Sequence, residues 1–146
     1  MCAIRNGRWI AVVSMVMALA LTGACAALRK NKNTRETLSA AVEGFNTALR
    51  WGDYKVASTF VAPDLQEQFW RQSDIMEGRI RLTEYDIRYI TWTENESTSP
   101  VIIRFRYYTT NDPSLQTETV RQVWRYNEQA QGWQVIKSGL DVLMPR

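Results

Sequence analysis

The sequence predicts an α+β fold, with three helices packed on a four-stranded antiparallel sheet. Two observations predict it. Apolar residues recur at helical spacing through residues 34–81, and from residue 82 the period changes to two. Three short polar turn clusters separate the period-two segments, which fits an antiparallel meander better than helical crossovers. Helices first and strands after place the helices over one face of the sheet.

The first helix opens at Asn33, with Glu36 three residues on in a capping-box-like start. Leu38, Ala41, Val42, Phe45, Ala48 and Leu49 then form its apolar stripe. Gly52 ends it, since glycine accepts the left-handed conformation at a helix terminus. Asp53 caps a second, short helix, "YKVASTFV". Pro63 and Asp64 open a third, "DLQEQFWRQSDIMEGRIR", on which Leu65, Phe69, Met76 and Ile80 share a face.

The strands are "LTEYDIRYITWT", "VIIRFRYYTT", "LQTETVRQVWRYN" and "GWQVIKS", rich in β-branched and aromatic residues. "ENESTSP", "NDPS" and "NEQAQG" are the turns between them. Alternation assigns Ile103, Phe105, Tyr107, Val120, Trp124 and Tyr126 to the face that meets the helices. The opposite, outer face then carries Arg88, Ile90, Trp92, Ile102, Arg104, Arg106, Tyr108, Arg121, Val123 and Arg125. By the same parity Asp86 points outward, and Tyr89 and Glu118 point inward.

The order helix, short helix, helix, then four strands resembles the nuclear transport factor 2-like superfamily, over about residues 34–138. "WGDYKVASTFVAPDLQEQFW" looks like the segment joining that family's first helices, and "GWQVIKS" like its final strand. The resemblance implies a cone of helices wrapped in a curved sheet. Its members include ketosteroid isomerase and scytalone dehydratase alongside many non-enzymes. No motif here matches the family's catalytic positions, so none is carried across.

Composition narrows the functions. A chain of 146 residues with 45% hydrophobic and 23% charged residues forms one domain with a real core. Histidine is absent, which removes the commonest general base and metal ligand together. The net charge of +3 comes from the N-terminus, because residues 36–146 hold 12 basic and 15 acidic side chains. Nucleic acid is therefore not an expected partner. No phosphate-binding glycine loop, metal-ligand cluster or nucleophile elbow is visible, so no cofactor, metal or catalytic residue is expected. The best catalytic combination on offer is an inner tyrosine, Tyr89 or Tyr107, with Glu118, and aromatic residues in such places ordinarily pack as core.

Residues 1–24 read as an export signal: Arg5 and Arg8, then the apolar "WIAVVSMVMALAL", then small residues. "LTGAC" resembles the lipobox of bacterial lipoproteins, which makes Cys25 the lipidated first residue of the mature chain. Cys2 leaves with the signal and Cys25 is consumed by lipid, so no thiol remains for other chemistry. The resemblance implies two or three acyl chains, and Ala26 after the cysteine implies an outer-membrane anchor facing the periplasm. Residues 25–33 become a tether to a domain spanning 34–146. The competing reading is an uncleaved span, since Trp9 to Leu28 carries no charge over 20 residues.

The expectation is a lipid-anchored, non-enzymatic domain that binds a protein partner, or a second copy, within an envelope assembly. The surface expected to do so is the outer sheet face, through Arg88, Trp92, Arg104, Arg106, Tyr108, Arg121 and Arg125, because arginine and aromatics together are enriched at interfaces. A pocket for a small apolar ligand, or an isomerase or hydratase, are the alternatives.

Overall fold

The computed structural model describes residues 34–94 and 96–144. The export signal, Cys25, the tether and the expected cap Asn33 lie outside the described residues. Among the described residues, no helix is long and apolar enough to cross a membrane.

Among the described residues three α-helices, α1 (Arg35–Trp51), α2 (Tyr54–Ser58) and α3 (Gln66–Met76), precede four strands. These are β1 (Ile80–Ile90), β2 (Thr98–Thr109), β3 (Asp112–Asn127) and β4 (Gly132–Lys137), paired antiparallel in the order β1-β2-β3-β4. The α+β meander is as expected. Short 3-10 turns at Pro63–Leu65 and Leu140–Leu143 complete it.

Helix α1 is capped by Thr34 rather than Asn33. The Thr34 hydroxyl accepts from the Thr37 N–H at 3.2 Å, and the Thr37 hydroxyl accepts from the Thr34 N–H at 3.2 Å. Two orphan donors are thus satisfied reciprocally, with threonine in place of the glutamate of the usual box. Gly52 closes the helix at φ 70° and donates to Ala48 and Leu49. Leu38, Val42, Phe45, Ala48 and Leu49 are buried and Ala41 is half-buried.

The third helix is shorter than its apolar spacing suggests. It ends at Met76, and Gly78, at φ 79°, turns the chain so that Ile80 begins β1 instead of extending the helix. Ile80 still packs in the core, now from a strand. After α2 the chain runs along β4: Ala62 N donates to Val135 O at 3.0 Å and Val135 N to Phe60 O at 2.8 Å. This bridge covers part of an edge that would otherwise be open to another strand.

The core lies between the helices and the inner face of the sheet. Phe45 stands edge-on to Trp124 with centroids 5.7 Å apart, and Phe69 lies 6.1 Å from Phe45 on its other side. All three rings are fully buried.

Candidate functional site

The interior between the helices and the sheet holds aromatics and amides. Asn46, on α1, and Gln122, on β3, are both fully buried among apolar residues. Gln122 donates to Asn46 Oδ1 at 2.8 Å, and Asn46 donates to Val42 O at 2.7 Å and to Gln122 Oε1 at 3.3 Å. Trp124 Nε1 donates to Gln122 Oε1 at 3.1 Å. Each of these polar groups has a partner, so the cluster is a packing element with no free group aimed at a ligand. Sequence reasoning missed it, because nothing in a polar residue's type marks it as buried.

Among the described residues every carboxylate is exposed or half-buried. Glu118 sits on the inner side of β3 opposite Phe105, half-buried, as its parity predicts. Tyr107 is buried on the neighbouring strand. Burial raises its phenol pKa, and the Glu118 charge raises it further. Tyr89 does not join them: it is 64% exposed and pairs with Ile102 on the outer face.

The reason is local. Register shifts at Leu82/Glu84 and at Ile87/Tyr89 each insert a residue into β1 and reverse its alternation. The second shift also corrects the expectation for Ile90 and Trp92. Both are half-buried and pack against the core, so Trp92 is not an outer-face residue.

The rest of the expected surface is where parity put it. Register sets Glu84, Arg106 and Thr117 in one row across the sheet, Asp86, Arg104 and Thr119 in the next, and pairs Ile102 with Arg121. Arg125 is paired with Thr98 and Gln134, and Tyr108 with Arg81 at the margin. Asp86 Oδ2 accepts from Arg88 at 2.9 Å and from Arg104 at 3.0 Å, and Glu84 Oε2 accepts from Arg106 at 2.9 Å. Arg125 reaches Asp64 only at 3.8 Å. A hydrogen bond from Arg88, with the charges of Arg88 and Arg104, holds the Asp86 carboxyl below its usual pKa against a smaller opposing effect of burial. Exposed pairs of this kind contribute little to stability, and their effect here is to hold three guanidinium groups in fixed orientations.

Lys137 also belongs to this face, opposite Val123, and sequence reasoning missed it. Simple alternation from Trp133 and Val135 puts Lys137 inside. A register shift at Val123/Trp124 turns it out.

The fold has known counterparts. A SEC-C motif containing protein from Rhodopseudomonas palustris superposes with a TM-score of 0.55 at 15% identity, covering 77% of this chain and 83% of that one. An NTF2-like protein of unknown function in nutrient uptake from Rhodospirillum rubrum gives 0.52 at 20% identity, over 68% and 92%. A ketosteroid isomerase-like protein from Erwinia carotovora atroseptica gives 0.51 at 13% identity, over 68% and 88%. These likenesses support a nuclear transport factor 2-like fold, and a shared fold does not carry a function with it. No protein-family model matches the sequence, and no curated protein matches it.

Proposed function

We propose that this chain is a non-catalytic domain, lipid-anchored through Cys25 in the outer membrane, that binds a protein partner in the periplasm through the outer face of its sheet. One observation carries the reading. The inner face packs Phe45, Phe69, Trp124 and the Asn46–Gln122 pair, while oriented arginines and half-buried apolar side chains gather on the outer face. Tyr108, Ile102 and Val123 are half-buried there outside the core cluster, and Tyr89 stands clear. Such a mix of rings, aliphatics and guanidinium groups is what interfaces favour.

A photo-crosslinking residue at Val123, in the full chain within its own envelope, tests this. An adduct of defined mass is expected there and not from Asp74, which is exposed on α3. Absence of an adduct at Val123, or the same adduct from both sites, overturns the reading. The anchor has its own test: Cys25→Ser is expected to leave a full-length, unlipidated chain by intact mass, and a lipid-modified Ser variant contradicts it.

A second reading rests on Glu118 beside Tyr107, which could serve as base and hydrogen-bond donor in an isomerase or hydratase. The likeness to a ketosteroid isomerase-like protein supports this only at the level of fold. Turnover of a hydroxy-ketone that Glu118→Gln abolishes, in a variant that still folds, would establish it.

A further inference from the structure

The charge of this domain is divided between its surfaces. By register and ion pairing the outer face carries Arg81, Arg88, Arg104, Arg106, Arg121, Arg125 and Lys137 against Asp64, Glu84 and Asp86, a net charge of +4. Residues 36–146 hold 12 basic and 15 acidic side chains in all, so the remainder carries five basic and twelve acidic, a net charge of −7. A mildly acidic domain therefore concentrates more than half its cations on one sheet face.

The face itself has two halves. Toward β1, the carboxylates of Glu84 and Asp86 are engaged by Arg106, Arg88 and Arg104. Toward β4, Arg121 and Lys137 have no carboxylate within ion-pair distance among the described residues. Between them lie Pro100, Ile102 and Val123, half-buried, with Tyr89 at the end of the Ile102–Arg121 row. The result is an apolar centre with an unneutralised cationic margin.

Resting on the protein-binding reading above, we infer that this face takes an acidic segment of a different protein, one that sets carboxylates against Arg121 and Lys137 on either side of an apolar or aromatic side chain lying over Ile102 and Val123. Charge decides against a second copy as the occupant. Two such faces brought together each carry +4, at a separation near the sheet-packing distance of about 10 Å, where physiological salt screens only partly. An anionic membrane fits less well. A membrane needs only point charges, whereas six of the seven cations are arginines, and three of those are held in place by carboxylates that a lipid surface would repel.

The probe is a labelled random copolymer of glutamate and tyrosine, offered to the full chain in neutral detergent micelles at about 20 mM and about 150 mM salt. Wild type is expected to bind it and to weaken with salt. Arg121→Glu with Lys137→Glu should lose at least about tenfold in affinity, and Asp86→Asn, which frees two guanidinium groups, should gain. Lys55→Glu with Arg71→Glu, exposed on α2 and α3 and off the face, should leave binding unchanged. The inference is overturned by no binding at low salt, by equal loss in both double variants, or by preferential binding to phosphatidylglycerol vesicles through Arg121 and Lys137. Self-association that the Arg121/Lys137 change abolishes overturns it too. A Val123 crosslink that persists unchanged in that double variant contradicts the acidic partner while leaving the protein-binding reading intact. Loss of the crosslink in wild type removes both.

Discussion

Asn46 and Gln122 meet at the centre of the fold from positions 76 residues apart, exchanging hydrogen bonds at 2.8 and 3.3 Å. The pair joins α1 to β3 with directional bonds inside an otherwise apolar layer. Gln122 Oε1 also accepts from Trp124, so the ring's orientation depends on the pair.

Removing one amide strands the other. Asn46→Ala is expected to destabilise by about 1–3 kcal/mol, because the Gln122 side chain stays buried without its partner. Replacing both with leucine should recover only part of that loss, since no amide is then left unpaired but the buried Trp124 indole N–H loses its Gln122 acceptor. Urea unfolding of the two variants separates these outcomes.

Gly52 and Gly139 share a left-handed backbone, at φ 70° and 69°, but differ in surroundings. A Cβ at Gly52 meets nothing within 4 Å, whereas one at Gly139 would lie 2.5 Å from Val120 Cγ1 and 2.7 Å from Arg121 O. Gly52→Ala should therefore cost about 1–2 kcal/mol from conformation alone. Gly139→Ala should cost clearly more, because the β3 backbone must shift to admit it. Equal losses in melting temperature would contradict this.

Ser99 is fully buried opposite Trp124, and its hydroxyl has no hydrogen-bond partner. Burying that group without a bond is a cost, so Ser99→Ala is expected to be neutral or to stabilise by about 1 kcal/mol. A clear loss of stability would mean that the hydroxyl is satisfied after all.

Asp86 is expected to titrate below the usual 3.8, and Arg88→Gln should move it back up. Its folded value lies below the unfolded one, so its ion pairs support the fold at neutral pH and cease to do so as pH falls through the folded value. Carbon-13 NMR of the carboxyl measures both, and an unshifted Asp86 in wild type would contradict the fixed ladder.

The legibility of this molecule in its sequence follows its bulges. On β2, where alternation runs unbroken from Val101 to Tyr107, Ile103, Phe105 and Tyr107 were assignable to the core and Arg104 and Arg106 to the surface. On β1, the residue inserted between Ile87 and Tyr89 moved Tyr89 outward and Trp92 inward, and an irregularity at Val123/Trp124 brought Lys137 to the outer face. A single inserted residue changes every assignment beyond it and leaves no compositional trace. The start of β1 hid for a related reason: Ile80 fits the helical spacing of α3 as well as a strand, and only the left-handed Gly78 separates the two.

The central claim is that the outer sheet face holds a protein partner, and recovery of that partner from the envelope tests it most directly. The full chain is purified from envelope extracts as wild type, as Arg106→Glu with Arg121→Glu, and as Lys55→Glu with Arg71→Glu. One stoichiometric partner is expected with wild type and with the off-face variant, and its loss from the Arg106/Arg121 variant with the fold unchanged. A wild-type chain that purifies alone, or a partner retained equally by all three, would contradict it.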